Sequence, residues 1–403
     1  MNGAEVLAEA LLKSADTFYT VTGYPVTELA ELLHAEITVN EKTAMEYALG
    51  DSLSGKRSVV ILKNVGINNC ADPLINATTQ GLISGVVLIA GDDVDVISSQ
   101  NAQDSRYYGE IAQVPVFDPD RETIGISAEI ALQASETFSR VSVIRVTSHL
   151  LEKRADRRTA PRRDKTGLLA DNDLTMPGRA DHADNITNEI FEWSQRSPVP
   201  LAYPPGDDYS ENMDQGSRRP YYREHRHVLP PPRHTRPETM TERGFARTLC
   251  RGCPFLSVLA IMKEKGQQAV CDIGCSLLAK NPPYNIGIAS YGLGSSIGVA
   301  AKSTGIALCG DYALLHSGIN ALIDVYEKKT PMICIILKNN RMGMTGGQKT
   351  PDIMDYISWT RPVLIRADDH EAISEALVPE NRPKTVVIEG TCPEGALYET
   401  VEC

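Results

Sequence analysis

A chain of 403 residues, 42% apolar and 23% charged, has the composition of a soluble globular protein and is long enough for two or three domains. Its formal net charge of -12, from 40 basic and 52 acidic residues, argues against a surface built to neutralise phosphates, so nucleic acid is not an expected partner. No apolar run reaches the length of a membrane span and Met1 to Glu9 shows no basic region before an apolar one, so the expectation is a cytoplasmic chain without a membrane anchor.

In chain order, Ala4 to Lys13 and Glu41 to Leu53 read as helices. Ser58 to Leu62, Gly85 to Ala90 and Val141 to Val146 are short β-branched runs, apolar on both faces. Such runs separated by helices predict a parallel sheet covered on both sides, a doubly wound α/β domain over residues 1–150. The texture then changes: residues 151–240 hold 11 of the 24 prolines and equal numbers of basic and acidic residues, 15 of each. That composition predicts a long irregular connector over 151–244, with a short helix near Ile186 to Trp193 and turns or extended chain at Tyr203 to Gly206 and Leu229 to Pro232. From 245 to 403 the α/β texture returns, its clearest strands being Gly305 to Cys309, Pro331 to Leu337 and Thr385 to Glu389.

The second half carries a pattern with chemistry in it. Gly310-Asp311 ends one apolar strand, and Asn339-Asn340 ends the next, 28 residues after Asp311. A helix start after such a strand offers free N–H groups and a dipole that favour phosphate. Asp311 can take a hard divalent cation, Asn339 adds a neutral oxygen, and the Arg341 carbonyl is a third candidate, with magnesium the expected metal. The carboxyl edge of an open parallel sheet is where ligands bind in such folds.

Nine cysteines, an odd number, point to thiol, metal or redox chemistry rather than a disulfide framework. Cys250-x-x-Cys253 suits a redox pair, a zinc half-site or iron–sulfur ligation, and the pair alone does not decide. Cys70, Cys271, Cys309 and Cys334 lie in or beside apolar segments and read as packing; Cys403 is the last residue.

The Gly-Asp and Asn-Asn pairing resembles the thiamine diphosphate signature, with Tyr312 in place of its third-position glycine. The first half resembles the large subunit of indolepyruvate ferredoxin oxidoreductase at Gly23 to Pro25, Val39 to Glu46, Lys63 to Pro73 and Ser98 to Tyr108. The second half resembles it at Cys250 to Pro254, Asp272 to Cys275, Gly294 to Gly298, His316 to Gly318 and Met344 to Gln348. The resemblance covers about 1–150 and 245–400. It implies two thiamine diphosphate-binding-type parallel-sheet domains, pyrimidine-binding over 1–150 and diphosphate-binding over 245–403.

It also implies roles for single residues. Glu41 is the expected activating carboxyl for the aminopyrimidine ring, and Leu293 stands where the family has a methionine wedge. Gly274, Gly294, Gly310, Asp311, Asn339, Arg341 and Met344 fall at cofactor-binding positions, and Asn69 and His316 at positions facing substrate. Cys250, Cys253, Cys275 and Cys392 match the cysteines that hold a [4Fe-4S] cluster in 2-oxoacid:ferredoxin oxidoreductases. The implied activity is oxidative decarboxylation of a 2-oxo acid, with coenzyme A, a small partner subunit and a homodimeric or heterotetrameric assembly.

Two departures qualify the carry-over. The family's large subunit continues into a ferredoxin-like domain whose cysteine motifs this sequence lacks, so electrons are expected to pass to a separate ferredoxin or ferredoxin-like subunit. Phe255-Leu256 stands where the family has His-Arg, which leaves arylpyruvate and coenzyme A chemistry open. The alternatives are a non-oxidative decarboxylase or carboligase similar to sulfopyruvate decarboxylase, and a non-catalytic cofactor-binding scaffold.

Overall fold

The computed structural model of the chain describes residues 1–205, 228–394 and 400–402. Cys403, Gly206 and part of the expected connector lie outside the described residues. The chain forms two units, Met1–Glu238 and Thr239–Cys403.

The first unit is built on seven strands: β1 (Thr17–Val21), β2 (Glu36–Ile37), β3 (Ser58–Lys63), β4 (Val86–Asp92), β5 (Val116–Phe117), β6 (Ser142–Thr147) and β7 (Leu201–Tyr203), in the order β2-β1-β3-β4-β6-β5-β7. All neighbours are parallel except β5 and β7. Every residue of β4 and β6 is buried, as expected of central strands covered on both faces. The helices Gly3–Ser14 and Ile124–Phe138 bury Leu7, Leu11, Ala128 and Leu132 against Val59, Ile61, Val87 and Ile89. The first of them opens on a capping box, Asn2 Oδ1 accepting from the Glu5 N–H at 2.8 Å and Glu5 Oε2 from the Asn2 N–H at 2.9 Å. The helix Glu41–Leu53, capped by Asn40, is buried continuously from Lys42 to Ser52.

The described part of the connector is more ordered than its composition implies. Met176–Ser194 is a 19-residue helix that buries Ile190, and its Trp193 ring meets Phe117 and Phe138 edge-on at 5.9 and 5.6 Å between centroids. Leu201–Tyr203, expected near a turn, is the edge strand β7. A few apolar residues at helical spacing, Ile186, Ile190 and Trp193, suffice to dock a helix, and averaging over the charged stretch hides them. Leu229 to Pro232 is irregular, as read from its prolines.

A polar strap at 156–170 is fixed by a buried ion network. The Arg57 guanidinium donates to Glu136 Oε1 and Oε2 at 2.7 and 2.6 Å, to Glu129 Oε2 at 2.9 Å, and to the Arg163 carbonyl at 2.9 Å. The same two carboxylates accept the strap's own N–H groups, from Arg163 at 2.7 Å and Lys165 at 2.8 Å. At Gly125 a Cβ would stand 2.2 Å from the Arg158 carbonyl oxygen, so the strap's approach requires glycine there.

The second unit contains β8 (Arg247–Cys250), β9 (Ala269–Cys271), β10 (Gly287–Ala289), β11 (Ile306–Gly310), β12 (Met332–Lys338), β13 (Arg341–Met342), β14 (Gln348–Lys349), β15 (Val363–Arg366), β16 (Pro383–Glu389) and β17 (Thr400–Glu402). Its main sheet is parallel, in the order β10-β9-β11-β12-β16-β15, while β13 with β14 and β8 with β17 form antiparallel pairs. Both units are therefore α/β with parallel sheets, the predicted fold class. Cys70, Cys271, Cys309 and Cys334 are all buried.

The ion network predicts a large effect of one atom. Glu136→Gln leaves the shape but not the charge opposite Arg57, and should lower unfolding free energy by about 3 kcal/mol. Removing the exposed Arg366–Asp368 pair should leave it unchanged, because solvent screens that pair. Urea unfolding measures both, and trypsin should cut the strap at Arg162 or Arg163 faster in the first variant only.

Burial pushes the thiols of Cys70, Cys271 and Cys334 from 9.0 up to about 12. The folded state thus holds these protons more tightly than the unfolded chain. The resulting stabilisation is complete below pH 9 and is lost as pH rises toward 12. Between pH 8 and 10.5 wild type should lose about 1–2 kcal/mol more stability than Cys334→Ala; equal losses in denaturant titrations would remove this linkage.

Candidate cofactor and metal site

In the first unit the carboxyl edge of the sheet carries Glu41. Asn40 Oδ1 accepts from the Thr43 N–H at 2.8 Å and so starts the helix, which places Glu41 in its first turn, half-buried. Its Oε2 accepts from Asn69 Nδ2 at 2.9 Å. Its Oε1 lies over Gly66, where an added Cβ would come within 2.8 Å of it. Around this pair runs an amide cluster: Asn68 Nδ2 donates to Gln103 Oε1 at 2.8 Å, Tyr108 Oη to Asn68 Oδ1 at 2.5 Å, and Asn64 and Gln103 exchange bonds through their backbone carbonyls at 2.9 and 2.8 Å. The segments 63–70 and 98–108, both read from the sequence, thus meet beside Glu41. Behind it Lys42 is buried between Glu46 at 3.0 Å and Asp72 at 3.2 Å.

In the second unit Asp311 follows β11 directly and Asn339 follows β12. Asp311 Oδ2 accepts from the N–H groups of Asn339 at 3.0 Å and Asn340 at 2.6 Å, and Oδ1 from that of Tyr312 at 2.7 Å. Burial holds its carboxyl above the ordinary aspartate range, against those three bonds, which favour the anion. None of the ion pairs among the described residues includes it. A buried carboxylate held by three amides, with the Lys338 charge adding a smaller effect and an amide oxygen beside it, is a donor set that fits a hard divalent cation. Gly310 faces open space, and Arg341, in β13, donates its N–H to Asn339 Oδ1 at 3.1 Å.

The glycine loop beside this site is held by a residue that the sequence alone did not single out. Asp272, wholly buried after β9, accepts from the Gly294 N–H at 2.6 Å, the Ser296 N–H at 3.2 Å and Ser296 Oγ at 2.8 Å. Ser317 Oγ donates to the Leu293 carbonyl at 2.6 Å, leaving the Leu293 side chain half-exposed. The helix after Asp311 contains a π-helical turn, Leu314–Gly318, on which the exposed His316 lies 6.1 Å from the Tyr312 ring. Gly274, at a φ of 123°, opens the turn that leads into Cys275. An acidic residue directly after a short apolar strand is the signal that marks both Asp272 and Asp311.

The structure brings the four distant cysteines together. Cys250, Cys253, Cys275 and Cys392 line one cavity of about 250 Å³, with Leu249, Phe255, Leu278, Asn339 and Met344 among its other walls. Burial is the main reason that Cys253 is pushed up to about 12 and Cys275 to about 11, and the neighbouring sulfurs add to it. Asp311 raises Cys275 further, so the oxygen site and the sulfur site share one field. Among the described residues no three His, Cys, Asp or Glu side chains converge on a point that would hold a single metal ion.

Residues 235–383 match the family described as thiamine pyrophosphate enzyme, C-terminal TPP binding domain. The indolepyruvate oxidoreductase subunit IorA of Archaeoglobus fulgidus is 24% identical over 484 aligned positions, covering 87% of this chain and 76% of that protein. The IorA of Methanothermobacter marburgensis is 24% identical, covering 95% and 82%. The Thermococcus kodakarensis IorA reaches 32% identity over a shorter stretch, 36% of this chain and 24% of that one. Among solved structures, the thiamine diphosphate-dependent 4-hydroxybenzoylformate decarboxylase of Rhodococcus jostii superposes with a TM-score of 0.59 at 14% identity, covering 97% of this chain and 99% of that one, which supports the fold. No described helix is long and apolar enough to cross a membrane. The resemblance read from the motifs is borne out: over most of its length the chain is related to the IorA subunit of indolepyruvate oxidoreductase, with a thiamine pyrophosphate-binding domain in its second half.

Proposed function

We propose that this chain is the thiamine diphosphate-binding subunit of a 2-oxoacid:ferredoxin oxidoreductase, which removes the carboxyl group of a 2-oxo acid oxidatively and delivers two electrons, through a [4Fe-4S] cluster, to a ferredoxin or ferredoxin-like subunit. The observation that carries this reading is the gathering of Cys250, Cys253, Cys275 and Cys392 around one cavity that Asn339 also lines. A decarboxylase that releases an aldehyde has no need of that sulfur set. Four corners suit a cubane, whereas a structural zinc requires four sulfurs on one point.

Thiamine diphosphate, when bound, supplies the electron sink for decarboxylation. Asp311, Asn339 through its amide oxygen and Arg341 through its carbonyl hold the magnesium that binds the diphosphate, and Gly310 leaves the approach clear. Gly274 and Gly294 shape the neighbouring turns; Leu293 offers the apolar wedge and Met344 an apolar wall. Glu41 holds a proton for the aminopyrimidine nitrogen, with Asn69 and Gly66 fixing its carboxyl group. A subunit related to IorA calls for a partner subunit, and coenzyme A is the expected acyl acceptor.

Thiamine diphosphate should bind only with a divalent cation, and Asp311→Ala should raise its Kd roughly tenfold or more, because an inner-shell ligand is lost. Calorimetric titration with and without magnesium reads this directly, and cation-independent binding would remove the oxygen site. Glu41→Gln should bind the cofactor nearly as well while proton exchange at its reactive carbon slows steeply.

Protein purified anaerobically should be brown and hold about four irons per chain, and replacing any one of Cys250, Cys253, Cys275 or Cys392 by Ala should lower the iron content. Cys334→Ala, inside β12, should keep it. A colourless protein that converts a 2-oxo acid to its aldehyde without an electron acceptor would overturn the oxidative reading in favour of a non-oxidative decarboxylase.

A further inference from the structure

Asn339 stands between the oxygen site and the sulfur site, and its amide faces both. The Arg341 N–H donates to Oδ1 at 3.1 Å, which fixes which end of the amide is oxygen. Nδ2 is left pointing the other way and donates to Cys392 Sγ at 3.1 Å. The strand ends that carry the two residues are clamped: β12 and β16 pair in register with Lys338 opposite Glu389, the Gly390 N–H donates to the Lys338 carbonyl at 3.0 Å, and Lys338 Nζ meets Glu389 Oε1 at 2.6 Å. Lys338 also reaches Asp352 at 3.2 Å and is itself buried, so this clamp has little freedom. The N–H···S contact is therefore built into the sheet edge.

We infer that Asn339 is a positioning residue for electron transfer as well as a cation ligand: its N–H raises the reduction potential of the cluster held by Cys392. This rests on the reading of the four cysteines as cluster ligands. The physical basis is charge. Adding one electron to the cluster increases the negative charge on its sulfurs, and a fixed N–H dipole aimed at Cys392 stabilises that reduced state more than the oxidised one. No bond forms or breaks; a chemical reductant supplies the electron in the measurement. Among the described residues the cavity lining carries no charged side chain, and Asp311, whose charge reaches Cys275, stands outside that lining.

The test is a redox titration followed by electron paramagnetic resonance, on thiamine-free protein purified anaerobically. Asn339→Asp keeps an oxygen ligand, loses the donor and adds a charge; Asn339→Leu is near in shape, neutral, and loses the donor. Both should retain about four irons and both should show a potential more negative than wild type. Magnesium-dependent cofactor binding should survive in Asn339→Asp and fail in Asn339→Leu. If Asn339→Leu does not keep its iron, Asn339→Val replaces it as the neutral variant. A neutral variant with four irons and an unshifted potential would overturn the inference while leaving the cluster reading intact. Wild-type protein without iron would overturn the cluster reading, and this inference with it.

Discussion

In the second unit three strands lie side by side, parallel and in register: Gly310 of β11 is opposite Leu337 of β12, and Lys338 of β12 is opposite Glu389 of β16. Parallel strands end at the same edge of a sheet, so whatever follows each strand is delivered to one line in space. Asp311, Asn339 and Cys392 follow β11, β12 and β16, and they meet there although 28 and 53 residues separate neighbours in the chain. The rest of the site depends on this register. A one-residue slip of β12 would carry Asn339 away from both Asp311 and Cys392 and turn its strand's apolar side chains to the wrong face.

Buried carboxylates hold the loops at that edge. Asp311 gathers three N–H groups and Asp272 three more with a hydroxyl, so each fixes a turn that would otherwise carry unpaired amides in a dry place. The first unit uses a different device at its own edge, a set of neutral amides around Glu41, and keeps its paired charges deeper, at Arg57 and at Arg145 with Asp92 and Asp118. The difference follows from what each edge must leave exposed. Neutral amides can orient a carboxyl group without neutralising it; a buried carboxylate can orient a turn and keep lone pairs for a cation.

Much of this was legible in the sequence, because strand ends are local signals. The apolar runs gave three strands of each main sheet, β3, β4 and β6 and then β11, β12 and β16, to within two residues, and the acidic or amide residue after a run marked Asp311 and Asn339; the shorter strands beside them carry too few residues to stand out. Glu41 was legible only through the resemblance that Val39 to Glu46 carries; the Asn40 cap that starts its helix emerged with the structure. The paired partners were not. Lys338 reads as the end of an apolar strand, and nothing local says that Glu389 and Asp352 lie beside it. The same holds for Asn69 with Glu41. Only the last part of the helix Met176–Ser194 was expected, at Ile186 to Trp193, and β7 was missed, because their few apolar residues are diluted by neighbouring charge, whereas docking depends on one face and not on the average.

The charge balance of the cysteine corner gives a last constraint. Burial keeps Cys253 and Cys275 protonated at neutral pH, and Asp311 nearby raises the cost of a thiolate at Cys275. Among the described residues no lysine, arginine or histidine lines the cavity to offset that cost. A buried set of thiolates is stable only if cations accompany it, since an isolated buried anion is far less stable than its protonated form. On the proposed reading, metal entry would displace protons, and a divalent cation at the oxygen site would lower the electrostatic penalty at Cys275 through Asp311, so that inorganic cations rather than side chains would complete the electrostatics of the corner.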